Sequence, residues 1–491
     1  TMSIIRTTVI FLVGLVLPGF FPLASPARAQ SITDDPRVQT ALALLQTWLE
    51  AQRAYEQIPG ISAAVVHDQQ LVWSGGYGYA DLARKAPATP ATIYSICSIS
   101  KLFTSVGVMQ LRDAGKLRLD DPVGRHLPWF TIKRTAPESG EITVEGLLTH
   151  ASGLPRESDF PYWSGPDFPF PTREQIIERL SKQETLYPAE TYWQYSNLGL
   201  TLAGEVVSAA SSQPYDAYIR HNILDPLGLT STTTDIPESE RGKRLATGYS
   251  AMLREGLRKP APFFQARGIA PAAGYASTVE DLARFASWQF RLLAKGGTEV
   301  LNANTLREMH RVHWIDQLDF TNAYGLGFAV WRADEKTFVG HGGSCPGFRS
   351  EVLLKPDERV AAIFMANAQG VNARQFAQRV YDIVAPALKA ATQEPKKGKA
   401  PDKDLEQYLG TYETGFGGEI AVVRWEDGLA TLSLPTADPV RGLAKLKKTG
   451  EHAFRRVRKD EALGEEIVFE MGPDGRPARL RWNSQVYPRM K

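Results

Sequence analysis

Ile96-Cys97-Ser98-Ile99-Ser100-Lys101 holds the only Ser-x-x-Lys of the 491-residue chain. Working outward, residues 99–115 read as a helix: Leu102, Val106, Met109 and Leu111 are apolar, and Gly115 marks its end. A serine and a lysine three apart on a helix lie on one face, one turn from each other. A serine hydroxyl is a poor nucleophile until a base takes its proton. A lysine is such a base once burial or neighbouring charge lowers its pKa. The helix N-terminus adds N–H groups and the positive end of a dipole, both suited to an anionic transition state. Alone, the tetrapeptide carries little weight, because a Ser cap followed by a surface Lys produces it by chance.

Two further elements change that. Tyr195-Ser196-Asn197 is the only Tyr-x-Asn of the chain and opens the apolar helix 196–211. A phenol beside a lysine can relay a proton to a leaving group, and an Asn amide can hydrogen-bond both the lysine and a substrate carbonyl. Gly340-His341-Gly342-Gly343-Ser344 follows the strand-like Lys336–Val339. Its small residues would let a substrate backbone lie against a strand edge. A backbone N–H from this segment and that of Ser98 would form an oxyanion hole.

These elements, in this order, resemble the serine β-lactamase and penicillin-binding-protein superfamily, and most closely its class C-like branch. That branch includes D-alanyl carboxypeptidases, D-aminopeptidases and family VIII-type esterases. The resemblance covers roughly residues 40–390 and includes Gly115–Val123, Leu147–Leu154 and Tyr324–Phe328. It implies an α/β (α+β) fold, an antiparallel sheet flanked by helices beside an all-helical subdomain, with the site in the crevice between them. It also implies residue roles. Ser98 is the acylated nucleophile, Lys101 the proton acceptor and Tyr195 the general base or acid. Asn197, His341 and Gly343 line the substrate site, and the N–H groups of Ser98 and Ser344 bind the oxyanion. The eight histidines show no metal spacing, so no metal is expected, and no cofactor.

One departure matters. Many β-lactamases carry Lys-Thr-Gly where this chain has His341-Gly342-Gly343. A histidine is mostly neutral near pH 7, so a fixed ammonium for a substrate carboxylate is missing. This favours peptide, amide or ester substrates over efficient β-lactam hydrolysis. The literal Lys448-Thr449-Gly450 lies far downstream and reads as a hairpin turn. His150 is expected to orient its loop through hydrogen bonds. The aromatics from Phe160 to Phe170 read as a loop at the crevice mouth, there to touch substrate or only to pack.

The remaining sequence bounds the class. With 43% hydrophobic and 22% charged residues the chain can build a large core. Its net charge of +2 lacks the basic excess of a nucleic-acid binder. Arg6, the apolar run from Val9 to Leu17 and Ala27-Arg28-Ala29 read as an export signal over 1–29, cleaved after Ala29. A periplasmic or secreted protein without a stable membrane anchor is therefore expected. The hydrolase domain is placed at 30–392 and a breaker-rich linker at 393–403. A C-terminal β domain, plausible as a small barrel, follows at 404–491, with strand pairs around Glu426-Asp427-Gly428 and Pro473-Asp474-Gly475. The two cysteines, Cys97 and Cys345, both flank motifs. Export would permit a bridge, but the geometry of a disulfide is rarely met by chance, so two unpaired thiols are the expectation.

The function expected is therefore acyl transfer through Ser98 on a D-amino-acid peptide, an ester or a β-lactam. The rival is a catalytically weak penicillin-binding-like protein that holds a ligand or assembles. Oligomeric state is open.

Overall fold

The computed structural model describes residues 31–136, 138–317, 323–394 and 403–490. The expected export signal and most of the expected linker lie outside these residues.

Nine antiparallel strands form the central sheet. In chain order they are β1 (Gly60–His67), β2 (Gln70–Asp81), β3 (Ala86–Pro87), β4 (Trp314–Ile315), β5 (Ala323–Tyr324), β6 (Ala329–Ala333), β7 (Lys336–Cys345), β8 (Phe348–Lys355) and β9 (Val360–Ala366). Their spatial order is β3-β2-β1-β9-β8-β7-β6-β5-β4. The chain therefore leaves the sheet after its first strands, builds the helical part, and returns to close against β1. Ile61 pairs with Ala366 and His67 with Val360.

Both faces of this sheet are covered, which explains why β9 is apolar without alternation. Its residues divide by parity between two cores. Ala361, Ile363 and Met365 join one, with helices α2 (Ser100–Asp113), α4 (Asn197–Ser211) and α5 (Val279–Lys295). Ala362, Phe364 and Ala366 join the other, with α1 (Pro36–Tyr55) and α6 (Ala373–Gln393). The short helix α3 (Val144–Thr149) leads into the loop that carries His150.

The helices start where their sequences supply caps. Asp35 accepts from the Arg37 N–H at 2.9 Å before α1, with Pro36 in the first turn. Thr278 caps α5 and Ser196 caps α4 in the same way. Helix α5 stops at Gly296, φ +73°, a conformation glycine takes without steric cost.

Beyond α6, eight strands form a second sheet in simple sequential order: β10 (Gly410–Glu413), β11 (Glu419–Trp425), β12 (Gly428–Leu434), β13 (Ala444–Lys448), β14 (Ala453–Val457), β15 (Leu463–Met471), β16 (Pro477–Trp482) and β17 (Gln485–Pro488). A bridge between Tyr412 and Arg489 brings the last strand back to the first, giving a nearly closed barrel. Tyr408, Tyr412, Phe454, Phe469 and Leu480 fill its interior. Its outer wall is also apolar on one side: Ala421, Val423, Ala430 and Leu432 pack against α1 and α6. Thr449-Gly450 forms the turn between β13 and β14, as its sequence suggested, far from the crevice.

Two expectations needed correction. The glycines Gly340, Gly342 and Gly343 do not end a strand; they lie inside β7, which runs to Cys345. The two cysteines are bonded to each other, with Cα atoms 5.7 Å apart across 248 residues of sequence. Their pairing depends on the end of β7 passing the Cys97–Ile99 turn, a long-range contact that local sequence does not encode.

Candidate active site

Ser98 sits in the tight turn Cys97–Ile99 that runs straight into α2. Cys97, just before it, has φ +52°, a left-handed conformation uncommon for a residue other than glycine. Such residues persist where their surroundings over-determine them. Here the disulfide to Cys345 and the burial of the Cys97 side chain do so.

Lys101 is fully buried. Its Nζ lies 3.1 Å from Ser98 Oγ, 2.8 Å from Asn197 Oδ1 and 2.8 Å from the Ala272 carbonyl oxygen. A carbonyl and an amide oxygen only accept. Once the amine is neutral, its two N–H bonds go to Asn197 and Ala272, and its lone pair is left facing Ser98. Burial favours that neutral state, holding the Lys101 pKa well below the ordinary lysine value; the Glu157 charge opposes this and Arg156 adds to it.

The Tyr195 ring lies under the same amine, 4.9 Å from Nζ to its centroid. Burial pushes its phenol above the usual range, while a hydrogen bond with Ser98 and the nearby Arg156 work the other way. Lysine and tyrosine are thus both held toward their neutral forms. His150 braces this arrangement, and its hydrogen bonds hold the segment before α4 rather than its own loop. It takes the left-handed φ of +63° at the end of α3. Its carbonyl accepts from the Gln194 N–H at 2.8 Å, and its Nδ1 accepts from the Ser196 N–H at 3.1 Å. Both neighbours of Tyr195 are therefore tied to one residue.

β7 forms the opposite wall. Its partner β6 pairs with it only as far as Gly340, so His341 to Cys345 present one open edge. A side chain at Gly343 would meet the Ile96 carbonyl oxygen and Ser350 Oγ, each 2.2 Å from an added Cβ; only glycine lets β7 approach the Ser98 turn this closely. The disulfide joins these segments, linking the residue before Ser98 to the residue after Ser344. His341 Nδ1 donates to the Gly342 carbonyl at 2.6 Å, so its Nε2 accepts from the Tyr324 hydroxyl at 3.2 Å. Burial lowers its pKa to about 3, and the ring is neutral where a Lys-Thr-Gly protein would carry a cation.

Between these walls lies a crevice of about 970 Å³. Ser98, Tyr195, Asn197, His341, Gly343 and Ser344 all line it. Trp163 and Phe168 from the 160–170 loop line it too, whereas Tyr162 and Phe170 are buried in the core. The loop both faces the crevice and packs.

The sequence matches the beta-lactamase family over residues 45–385. This chain belongs to that family. Among curated relatives, Beta-lactamase-like protein 2 of Dictyostelium discoideum is 26% identical over 413 residues, spanning 82% of this chain and 73% of that protein. Protein flp of Staphylococcus aureus (strain MRSA252) is 26% identical over 342 residues, 68% of this chain and 64% of its own. Among solved structures, the octameric penicillin-binding protein homologue from Pyrococcus abyssi superposes with a TM-score of 0.61 at 24% identity, covering 92% of this chain and 100% of that one. A D-stereospecific amidohydrolase from Streptomyces sp. gives 0.57 at 25% identity, covering 69% and 97%.

Within this beta-lactamase-family crevice several residues carry no motif signal. The Ala272 carbonyl reaches Lys101 from a distant segment. Glu157, three residues past the Leu147–Leu154 stretch, receives both contacts of Asn197 Nδ2, at 2.8 and 3.1 Å. That leaves the Asn197 amide committed to Lys101 and Glu157. Glu351, on the mixed strand β8, is buried, which its local sequence does not announce. Burial raises its pKa to about 7, opposed by Arg374, whose Nε is 3.2 Å away.

Cys97→Ser with Cys345→Ser is expected to cost about 2–5 kcal/mol of stability. The readout is the unfolding free energy from urea titration, midpoint and slope taken together, because loss of the crosslink expands the unfolded chain and steepens the slope. A free energy equal to that of the native chain would show that the bridge adds no net stability.

Proposed function

We propose that the chain is a serine hydrolase that works through an acyl-enzyme on Ser98. The observation that carries this reading is the placement of the Lys101 amine, buried and with its free position turned to Ser98 Oγ. Lys101 takes the hydroxyl proton as Ser98 Oγ attacks a carbonyl carbon. The oxyanion develops toward the N–H groups of Ser98 and Ser344, at a helix start and on an open strand edge. Tyr195, which lines the crevice beside Ser98, passes the proton on to the leaving nitrogen or oxygen. Water then attacks the ester carbonyl, the Ser98 Oγ–acyl bond breaks, and Oγ regains a proton.

The substrates that fit are D-amino-acid peptides, simple esters and β-lactams. Lys259 and Arg349 line the crevice, which suits a substrate bearing a carboxylate. The neutral His341 weighs against fast β-lactam turnover. An exported enzyme would meet such cell-wall material.

The test is mass spectrometry of the mature chain after exposure to p-nitrophenyl esters, D-alanyl peptides and nitrocefin, beside Ser98→Ala. An acyl mass on Ser98, lost in the variant, is the expected result. Turnover that survives Ser98→Ala would refute the reading, and the preferred substrate would name the class.

A further inference from the structure

Glu157 lies outside all three motifs, yet it is hydrogen-bonded into the site. Its two carboxylate oxygens accept from Asn197 Nδ2 at 2.8 and 3.1 Å. The Tyr162 hydroxyl also donates to it, and Arg156 Nε lies 3.3 Å away. On the far side of the same amide, Asn197 Oδ1 accepts from Lys101 Nζ at 2.8 Å. A carboxylate only accepts, and an amide donates from one end and accepts at the other. Glu157 thereby dictates which way Asn197 faces. Were the amide to flip, its NH₂ group would confront the N–H bonds of Lys101, and the carbonyl oxygen would confront a carboxylate. The Arg156 guanidinium, meanwhile, stands over the Tyr195 ring at 4.8 Å.

We propose that Glu157 is a positioning residue for the proton-handling pair: it holds Asn197 with its oxygen toward Lys101 and, with Arg156, sets the charge around Lys101 and Tyr195. This rests on the acyl-enzyme reading above. The groups that face the pair are His150 at the end of α3, His341 on β7, Tyr324 on β5, and Arg156 and Glu157 on the loop before the aromatic segment. Burial keeps both histidines and the Tyr324 phenol neutral near pH 7. Arg156 and Glu157 are then the nearby formal charges, and they act in opposite directions. Glu157 raises the pKa of Lys101 and also that of Tyr195; Arg156 lowers both. The sign of the effect is therefore the same whichever of the two groups is the base.

The experiment is the pH profile of kcat/KM for p-nitrophenyl acetate on the mature chain. A base must lose its proton to act, so the acid limb follows its pKa. Glu157→Gln removes the charge and keeps an acceptor for Asn197; its acid limb is expected about half a pH unit or more lower. Arg156→Met should move it upward by a similar amount. Glu157→Asp keeps the charge, so the limb stays in place, but the shorter side chain releases Asn197 and the plateau falls about tenfold. Arg156 is exposed, so its variant remains informative even if Glu157→Gln does not fold. An acid limb unmoved in Arg156→Met, or unmoved in a folded Glu157→Gln, would overturn the proposal. Ser98→Ala is run alongside: hydrolysis that survives it brings down the acyl-enzyme reading itself, whereas Ser98-dependent hydrolysis with unmoved limbs brings down only the role of Glu157.

Discussion

Lys101→Met is expected to slow acylation of Ser98 by about 10²–10⁴-fold, the usual contribution of a positioned general base. The side chains have similar volume, and the position is fully buried among α2, α4 and the Ala272 segment, so the variant should retain the native near-UV circular dichroism. The expected pH dependence is as diagnostic as the rate. In the native protein, burial depresses the Lys101 pKa. The neutral amine is therefore available well below the pH at which a solvent-exposed lysine loses its proton. As pH falls through this lowered pKa, Lys101 gains a proton, its lone pair is lost, and acylation slows. The methionine variant has no such group, so its rate should lose that acid limb and climb with hydroxide. Single-turnover acylation followed by mass spectrometry from pH 5 to 10 measures both. A variant that acylates at the native rate near pH 7 would remove Lys101 from the mechanism and leave Tyr195 to act alone.

The second large effect concerns stability. A chain ending at Glu394 is expected to be insoluble, or to melt at least about 10 °C below the whole protein. The barrel strands β11 and β12 do not merely follow the hydrolase fold. Their outward residues Ala421, Val423, Ala430 and Leu432 share one apolar core with Val38, Leu42, Leu45 and Trp48 of α1 and with Phe376 and Val380 of α6. The contact is also specific. Trp48 Nε1 donates to the Thr436 carbonyl at 2.8 Å, and Arg379 Nε donates to the Ala437 carbonyl at 2.9 Å. Removing the barrel would expose these stripes and leave the indole N–H without its partner. Leu432→Ala in the whole chain isolates the interface from the deletion; a loss of about 2–5 kcal/mol is expected for a buried leucine. Differential scanning calorimetry reads both. A truncated chain that melts with the native protein would mean that α1 and α6 need no cover.

The family, the order of the three motifs and most elements near them were legible in local sequence. A Ser and a Lys three apart on an amphipathic helix share a face whatever the rest of the chain does. Ser196 ahead of an apolar helix specifies a cap, and Gly296 a stop. Turn residues at Glu426-Asp427-Gly428 and Pro473-Asp474-Gly475, flanked by strand-like runs, specify hairpins. These patterns repeat every two to four residues, so short stretches suffice to show them.

Only the tertiary structure decided the rest, because it depends on residues far apart in the chain. The Cys97–Cys345 bridge needs β7 to pass the Ser98 turn, and Gly343 permits that approach only because of where Ile96 and Ser350 lie. The second acceptor for the Lys101 N–H bonds is a backbone carbonyl, which no side-chain pattern can announce. Glu157 has an unremarkable local sequence; its importance comes from meeting Asn197, forty positions on. The apolar outer wall of the barrel looked like ordinary strand interior, since a strand buried on one face by its own barrel and on the other by helices loses its alternation. Sequence determined which groups could do the chemistry, through short-range periodicity. Long-range packing determined what holds them neutral, oriented and out of water.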